Sequence, residues 1–198
     1  KTKVYLYAET DKKPEKSGVL TSETVKYGKS SVEGKDAALA LAFSGQKEIG
    51  VRYGISFIST EQARKNLERE INSYDVSAIA RIGRNEWNDA LGKIQVSGGS
   101  ENDKTVFYTS LYRCYERPVN LSEDGKYYSA FDGKIHEDGG CSFYTDDWIW
   151  DTYRAAHPLR LLIDEGTEKN VIDSYLRMAE QMGNMWMPTF PEITGDSR

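Results

Sequence analysis

Apolar and polar residues alternate with a period of two at the start of the chain. Val4, Leu6 and Ala8 are interleaved with Tyr5 and Tyr7. Ile49, Val51, Tyr53, Ile55 and Phe57 form a longer, cleaner alternation, with Arg52, Gly54 and Ser56 on the opposite face. Leu39 to Phe43 supplies a further strand, and the lysine-rich, proline-containing stretch from Asp11 to Lys16 reads as an exposed turn. The pattern predicts antiparallel sheet with one face buried and one solvated. It gives about four strands and no sign of a second sheet.

The period changes at Ser59. Ser59-Thr60-Glu61-Gln62 has the spacing of a capping box, in which the serine oxygen takes an orphan N–H and the glutamine reaches back. Ala63, Leu67 and Ile71 follow at helical spacing and predict a helix over about 60–72. A second helix starts near Asp75 with Val76, Ile79, Ala80, Gly83, Trp87, Ala90, Leu91 and Ile94 on one stripe. A third follows Ser100, with Val106, Phe107, Ser110, Leu111 and Cys114 expected to face inward. From Pro118 to Tyr144 the helices are interrupted by Asp124-Gly125, Asp132-Gly133 and Asp138-Gly139-Gly140, turn signals that predict small hairpins. A fourth helix is expected from about Asp147 to Ile163, bending at Pro158. A fifth begins near Thr167, with Gly183 well placed as its C′ residue. The stretch from Trp186 to Glu192 reads as proline-rich loop.

Sheet first and helices after implies two layers or two domains. Neither half reads as complete, and both a compact α+β domain and a piece of something larger fit the pattern. Composition narrows the choice of partner. The net charge is −5 and no long Lys/Arg run occurs, which excludes a nucleic-acid partner that needs a basic face. No stretch approaches the roughly 20 apolar residues of a membrane span. The first residues are already strand-like and carry no signal peptide. Thirteen tyrosines and four tryptophans suit sugar stacking, and suit ordinary cores at least as well. Cys114 and Cys141 make no metal pattern; two thiols are favoured over one disulfide.

Several segments, in this order and spacing, carry a resemblance. Gly54-Ile55-Ser56-Phe57-Ile58-Ser59-Thr60-Glu61-Gln62-Ala63 passes into Asn66-Leu67-Glu68-Arg69-Glu70-Ile71. Trp87-Asn88-Asp89-Ala90-Leu91 leads to Ile94-Gln95-Val96, and Lys104-Thr105-Val106-Phe107-Tyr108-Thr109-Ser110-Leu111-Tyr112-Arg113 follows. Trp150-Asp151-Thr152-Tyr153-Arg154-Ala155-Ala156-His157-Pro158-Leu159 comes next, then Met187-Pro188 after Gly183. Together, from about residue 50 onward, they resemble the middle of glycoside hydrolase family 92, the calcium-dependent exo-α-mannosidases. The resemblance implies a multi-domain α and β protein. Residues 1–59 would be the last strands of an antiparallel β-sandwich, 60–96 linker helices, and 97–198 the first helices of an incomplete (α/α)6 barrel. It further implies inverting removal of terminal α-linked mannose from glycans, export to the periplasm or cell surface of a bacterium, and a calcium ion. The main partner of this piece would be the remainder of the same polypeptide.

An inverting glycosidase needs an acid and a base roughly 6.5–9.5 Å apart with a water between them. None of the carboxylates here matches the family's pair, so no catalytic residue is expected within the chain. Asp146 and Asp147 read as a helix start. Asp138-Gly139-Gly140 lacks the spaced oxygen ligands of a calcium site, and no metal ligand is assigned. The resemblance points instead to Trp150, Asp151 and Arg154 as substrate-binding residues. Asp151 is the aspartate expected to contact the terminal mannose, Trp150 to close one side of its pocket, and Arg154 to orient Asp151 or bind sugar. The bland alternative makes Trp150 and Tyr153 core and pairs Asp151 with Arg154 or Arg113. For Trp87, Trp148 and His157 a packing role is the expectation. A non-catalytic carbohydrate-binding or structural α+β module is the alternative to a mannosidase as a whole.

Overall fold

In a computed structural model that describes residues 2–21 and 24–196, small antiparallel sheets and six helices alternate along the chain. Strands β1 (Tyr5–Thr10), β2 (Lys16–Thr21), β3 (Thr24–Tyr27), β4 (Ala38–Ala42) and β5 (Val51–Ser56) come first. They form two sheets rather than one. β1 pairs with β5, Tyr7 opposite Gly54, and β2 lies between β3 and β4. The second sheet escaped notice because β2 carries only Val19 and Leu20 as large apolar residues, too few to show a period.

Helix α1 (Thr60–Glu70) begins at Ser59, where the sheet was expected to give way to helix. Ser59 Oγ accepts from Gln62 N at 3.0 Å, but the reciprocal half of the box is absent. Gln62 instead donates to Asn66 Oδ1 and to Asp124 Oδ2, tying α1 to a distant hairpin. α1 packs on β5 with Gln62, Ala63, Asn66 and Leu67 buried. The strand face beneath it is the opposite of the one that apolar alternation favours. Gly54 and Ser56 are buried there, whereas Val51, Tyr53 and Ile55 stand 61, 58 and 48% exposed. The cause is steric: a Cβ on Gly54 would sit 2.3 Å from the Ala63 carbonyl oxygen, so a helix approaches this closely only over small residues.

Helices α2 (Val76–Leu91) and α3 (Glu101–Cys114) are capped by Asp75 and Ser100, the latter in a full capping box with Asp103. They meet through Trp87, whose ring lies 4.4 Å from Tyr112 and 6.3 Å from Tyr115 while staying 39% exposed. The inward stripes are mostly not buried. α2 buries no residue and α3 only Leu111; Val106 is exposed.

The hairpin region is β6 (Val119–Asn120), β7 (Lys126–Ser129), β8 (Lys134–Glu137) and β9 (Tyr144–Thr145). β7 pairs with β8 and β6 with β9. Gly125, Gly133, Gly139 and Gly140 all have positive φ, as the turn signals require. Here lies the best-packed core: Leu121, Tyr127, Phe143 and Met178, with Phe57, Phe131 and Ile193 against them. Tyr127 and Phe143 stack at 4.0 Å between centroids.

The expected fourth helix is broken rather than bent. α4 (Ile149–Thr152) ends four residues before α5 (Ala156–Ile163) starts, and Pro158 falls in the first turn of α5. A proline there loses no intrahelical hydrogen bond, whereas a continuous helix would set its ring against the carbonyl of Arg154. α6 (Glu165–Gln181) packs on α5 and ends as foreseen, with Gly183 at φ 70°. A short pair follows, β10 (Pro191–Glu192) at the end of the stretch read as loop and β11 (Gly195–Asp196) just beyond it.

Candidate functional site

The three residues assigned to substrate sit on one outward turn. Trp150 is 72% exposed, Asp151 and Arg154 are exposed, and Tyr153 is exposed too, so Trp150 and Tyr153 are not core. Among the described residues Asp151 makes no ion pair with Arg113 or Arg154; Arg154 Nη2 donates instead to the Tyr153 hydroxyl at 3.3 Å. Two surface clefts, of about 330 and 550 Å³, lie along β5–α1–α2 and α2–α3 and do not include these residues.

Behind the turn is a buried charge network. Asp147, 1% exposed, does not cap α4; the N-cap is Trp148, which makes no side-chain capping bond. Asp147 turns inward because its Oδ2 accepts from His157 Nε2 at 2.9 Å and from the Tyr175 hydroxyl at 3.0 Å. Asp146, at φ 56°, likewise caps nothing on α4 and accepts from Ile193 N. His157 Nδ1 reaches Glu168 Oε1 at 2.7 Å, and Arg160 Nη1 donates to Glu168 Oε2 at 2.8 Å. Arg160 Nη2 also donates to the Arg117 carbonyl, and the Arg117 guanidinium lies 4.0 Å above the Trp148 ring. Trp148 itself stays 37% exposed, so it lies at the surface against Arg117 and not in the core.

The electrostatics favour the charged partners, although Asp147 Oδ1 is buried without a hydrogen bond among the described residues. A hydrogen bond to Asp147 raises the His157 pKa; burial opposes this and the Glu168 bond adds to it. Burial works against the Asp147 charge, yet bonds from His157 and Tyr175 outweigh it and hold the carboxyl below its ordinary range. Burial and the neighbouring Asp147 push the Tyr175 phenol well up, so it stays a donor. An imidazolium and a guanidinium then balance two carboxylates, as buried ions must be balanced. His157 packs as expected, but as a charged hub, not a neutral filler.

This cluster was missed in the sequence, although it left a signal. Glu168 occupies the buried stripe of α6 with Val171, Tyr175 and Met178, and a carboxylate in an apolar stripe demands a partner. His157 and Arg160, at i and i+3 on α5, were the available cations.

Calcium finds no fit in the one loop weighed for it. Asp138 Oδ1 accepts from Gly140 N, and its carbonyl from Cys141 N and Arg177 Nη2, so these two oxygens already serve the turn and its contact with α6. Among the described residues no group of three or more His, Cys, Asp or Glu side chains could hold a metal. Cys114 and Cys141 are free thiols. Among the described residues no helix is long and apolar enough to cross a membrane.

The glycosyl hydrolase family 92 catalytic domain matches residues 62–198, which includes the outward turn and the network behind it. The chain belongs to glycosyl hydrolase family 92. An inverting mannosidase of this family from Bacteroides thetaiotaomicron is 31% identical and superposes with a TM-score of 0.77 over 94% of the chain. A second family 92 α-mannosidase from that organism, 24% identical, gives a TM-score of 0.81 over 98% and shares the fold. An uncharacterized secreted glycosidase of Arthroderma benhamiae is 29% identical over 83 residues, 40% of this chain. The chain spans about a quarter of the two solved structures (26 and 27%) and 11% of the Arthroderma protein.

Proposed function

We propose that the polypeptide carrying this chain is an exo-acting, inverting α-mannosidase that removes terminal α-linked mannose from glycans. The observation that carries this reading is the family 92 catalytic-domain match over 62–198, reinforced by likeness along 94% of the chain to an inverting mannosidase. Asp151 accepts hydrogen bonds from two hydroxyls of the terminal mannose, Trp150 closes one side of the sugar, and Arg154 orients Asp151 or binds sugar. Their exposure supports the assignment, since a group that meets substrate has to reach solvent.

The catalytic acid and base come from elsewhere in the polypeptide. Asp147 and Glu168 are buried and bonded to His157 and Arg160, so they do not flank a glycosidic oxygen with a water between them. The calcium ion of the family is held mainly outside these residues as well. In the same reading 1–59 are the last strands of a β-sandwich, 60–96 linker helices and 97–198 the opening of an (α/α)6 barrel. The exposed apolar face of Leu6, Val51, Tyr53 and Ile55 supports a sandwich, because such a face is normally covered. Export is proposed too, supported by the secreted glycosidase among the relatives.

The test uses the complete polypeptide, calcium and 4-nitrophenyl α-D-mannopyranoside, with the first-formed sugar read by proton NMR. β-Mannose should appear first, and the 198-residue chain alone should be inactive. Asp151→Ala should cost more than tenfold in kcat/KM, one or two charge-assisted bonds being worth roughly 1.5–3 kcal/mol each. Its Tm should fall little. An inactive complete polypeptide, or an Asp151→Ala variant as fast as the unaltered protein, overturns the proposal.

A further inference from the structure

α4 has little of its own to hold it. It is a single four-residue turn with no side-chain cap and no buried residue, and so short a helix is not stable by itself. Yet it presents Trp150 and Asp151, whose use on a sugar depends on a fixed position. His157 supplies what the turn lacks. Its Nε2 lies 2.9 Å from Asp147 Oδ2, just ahead of α4, and 3.1 Å from Thr152 Oγ1, the last residue of α4. The Thr152 hydroxyl also reaches back to the Trp148 carbonyl at 3.1 Å. One ring nitrogen therefore ties both ends of the turn together, and Nδ1 fastens the tie to Glu168 on α6 at 2.7 Å.

We infer that His157 is a positioning residue, which clamps the two ends of the Trp150–Asp151 turn to α6 and thereby fixes Asp151 for sugar binding. The inference rests on the substrate role proposed above for Asp151. Both ring nitrogens are committed to carboxylates, so neither is left to exchange a proton with substrate. The clamp needs both N–H groups, because each nitrogen faces an acceptor-only oxygen. Deprotonation would set one nitrogen lone pair against a carboxylate and release one arm. The other charged or titratable groups facing the ring are Arg160, whose Nη1 is 3.4 Å from Nδ1, and Tyr175, which donates to Asp147. A displacement of about 1 Å at a positioned group can cost on the order of a hundredfold in rate, so a loosened turn is expressed in catalysis more than in stability.

The test uses the complete polypeptide with 4-nitrophenyl α-D-mannopyranoside and follows hydrogen exchange of backbone amides alongside kcat and KM. Thr152→Val removes one arm from a half-buried site and should lower kcat/KM three- to tenfold. His157→Gln keeps donors on one nitrogen only, so it cannot serve Asp147 and Glu168 together, and should cost more than thirtyfold. In an Asp151→Ala background, His157→Gln should add less than threefold, because both changes abolish the same contact. Exchange at residues 148–153 should quicken at least tenfold in both clamp variants while 126–137 stays unchanged. Losses that multiply in the double variant, unchanged exchange at 148–153, or loosening of the whole chain would each overturn the clamp. Should His157→Gln fail to fold, Thr152→Val carries both measurements. An inactive unaltered polypeptide would count against the mannosidase reading alone, and the exchange data would still decide the clamp.

Discussion

The two ends of the chain bury opposite kinds of residue. Between β1–β5 and α1 the packed face of β5 is glycine, serine and the arginine of an ion pair, with Tyr5 and Tyr7 of β1 half-buried beside them, and the apolar face is open. Between the hairpins and α6 the packed layer is conventional, with Tyr127, Phe143, Leu121 and Met178 closed around one another. Beside it, the α5–α6 contact holds four charged groups nearly free of solvent. Alternation along a strand therefore reports which residues are apolar, not which face its immediate neighbour takes. A close helix selects the small face, and the large apolar face is left for something else. In the second region the packed layer is drawn mainly from the hairpins and α6, with Phe57 from the end of the first region against it.

The largest effect should come from uncoupling the charge network. Glu168→Gln leaves Arg160 and His157 buried without their shared counter-charge and should cost about 3–5 kcal/mol in denaturant unfolding. A loss under about 1 kcal/mol would mean that water already screens the network. Next comes Gly54→Ala, which drives a methyl into the Ala63 carbonyl and should cost about 1–3 kcal/mol, despite being a conservative change on a strand. Ser59→Ala removes the α1 cap and should cost about 1 kcal/mol by the same measurement. Tyr53→Ser on the open face of β5 should change the stability of the 198-residue chain by less than about 0.5 kcal/mol. The same change in the complete polypeptide should cost several times more where the sandwich covers that face, and an equal, small effect in both would show it uncovered.

The network also sets a pH window. The folded-state pKa of His157 is raised, so its contribution is complete below the ordinary imidazole value of about 6.5 and is lost as pH rises through the folded value. That of Asp147 is lowered, so its contribution is complete above the ordinary carboxyl value of about 3.9 and is lost as pH falls through the folded value. Their joint contribution is greatest between these ordinary values. A urea-midpoint profile should therefore lose a basic limb in His157→Gln, and retention of that limb in the variant would assign it to another group.

Local chemistry was legible in the chain. Ser59, Asp75 and Ser100 start helices where their side chains reach orphan N–H groups, and Gly125, Gly133 and Gly183 turn the backbone where a Cβ is disfavoured. Each of these depends on residues no more than a few positions apart, which is why sequence by itself determined them. The order of the segments likewise fixed the family, but not the break between α4 and α5 that leaves Trp150 and Asp151 on a short turn. Tertiary structure alone decided which face of β5 meets α1, because that choice turns on the space above Gly54 and not on the strand's own period. It also decided the role of Asp147 and His157. A carboxylate before a helix and a histidine before a proline read as cap and filler until Glu168, eleven residues beyond His157, supplies the charge that makes them a clamp. Interactions between such groups depend on distance and burial, and neither is written in the order of the residues.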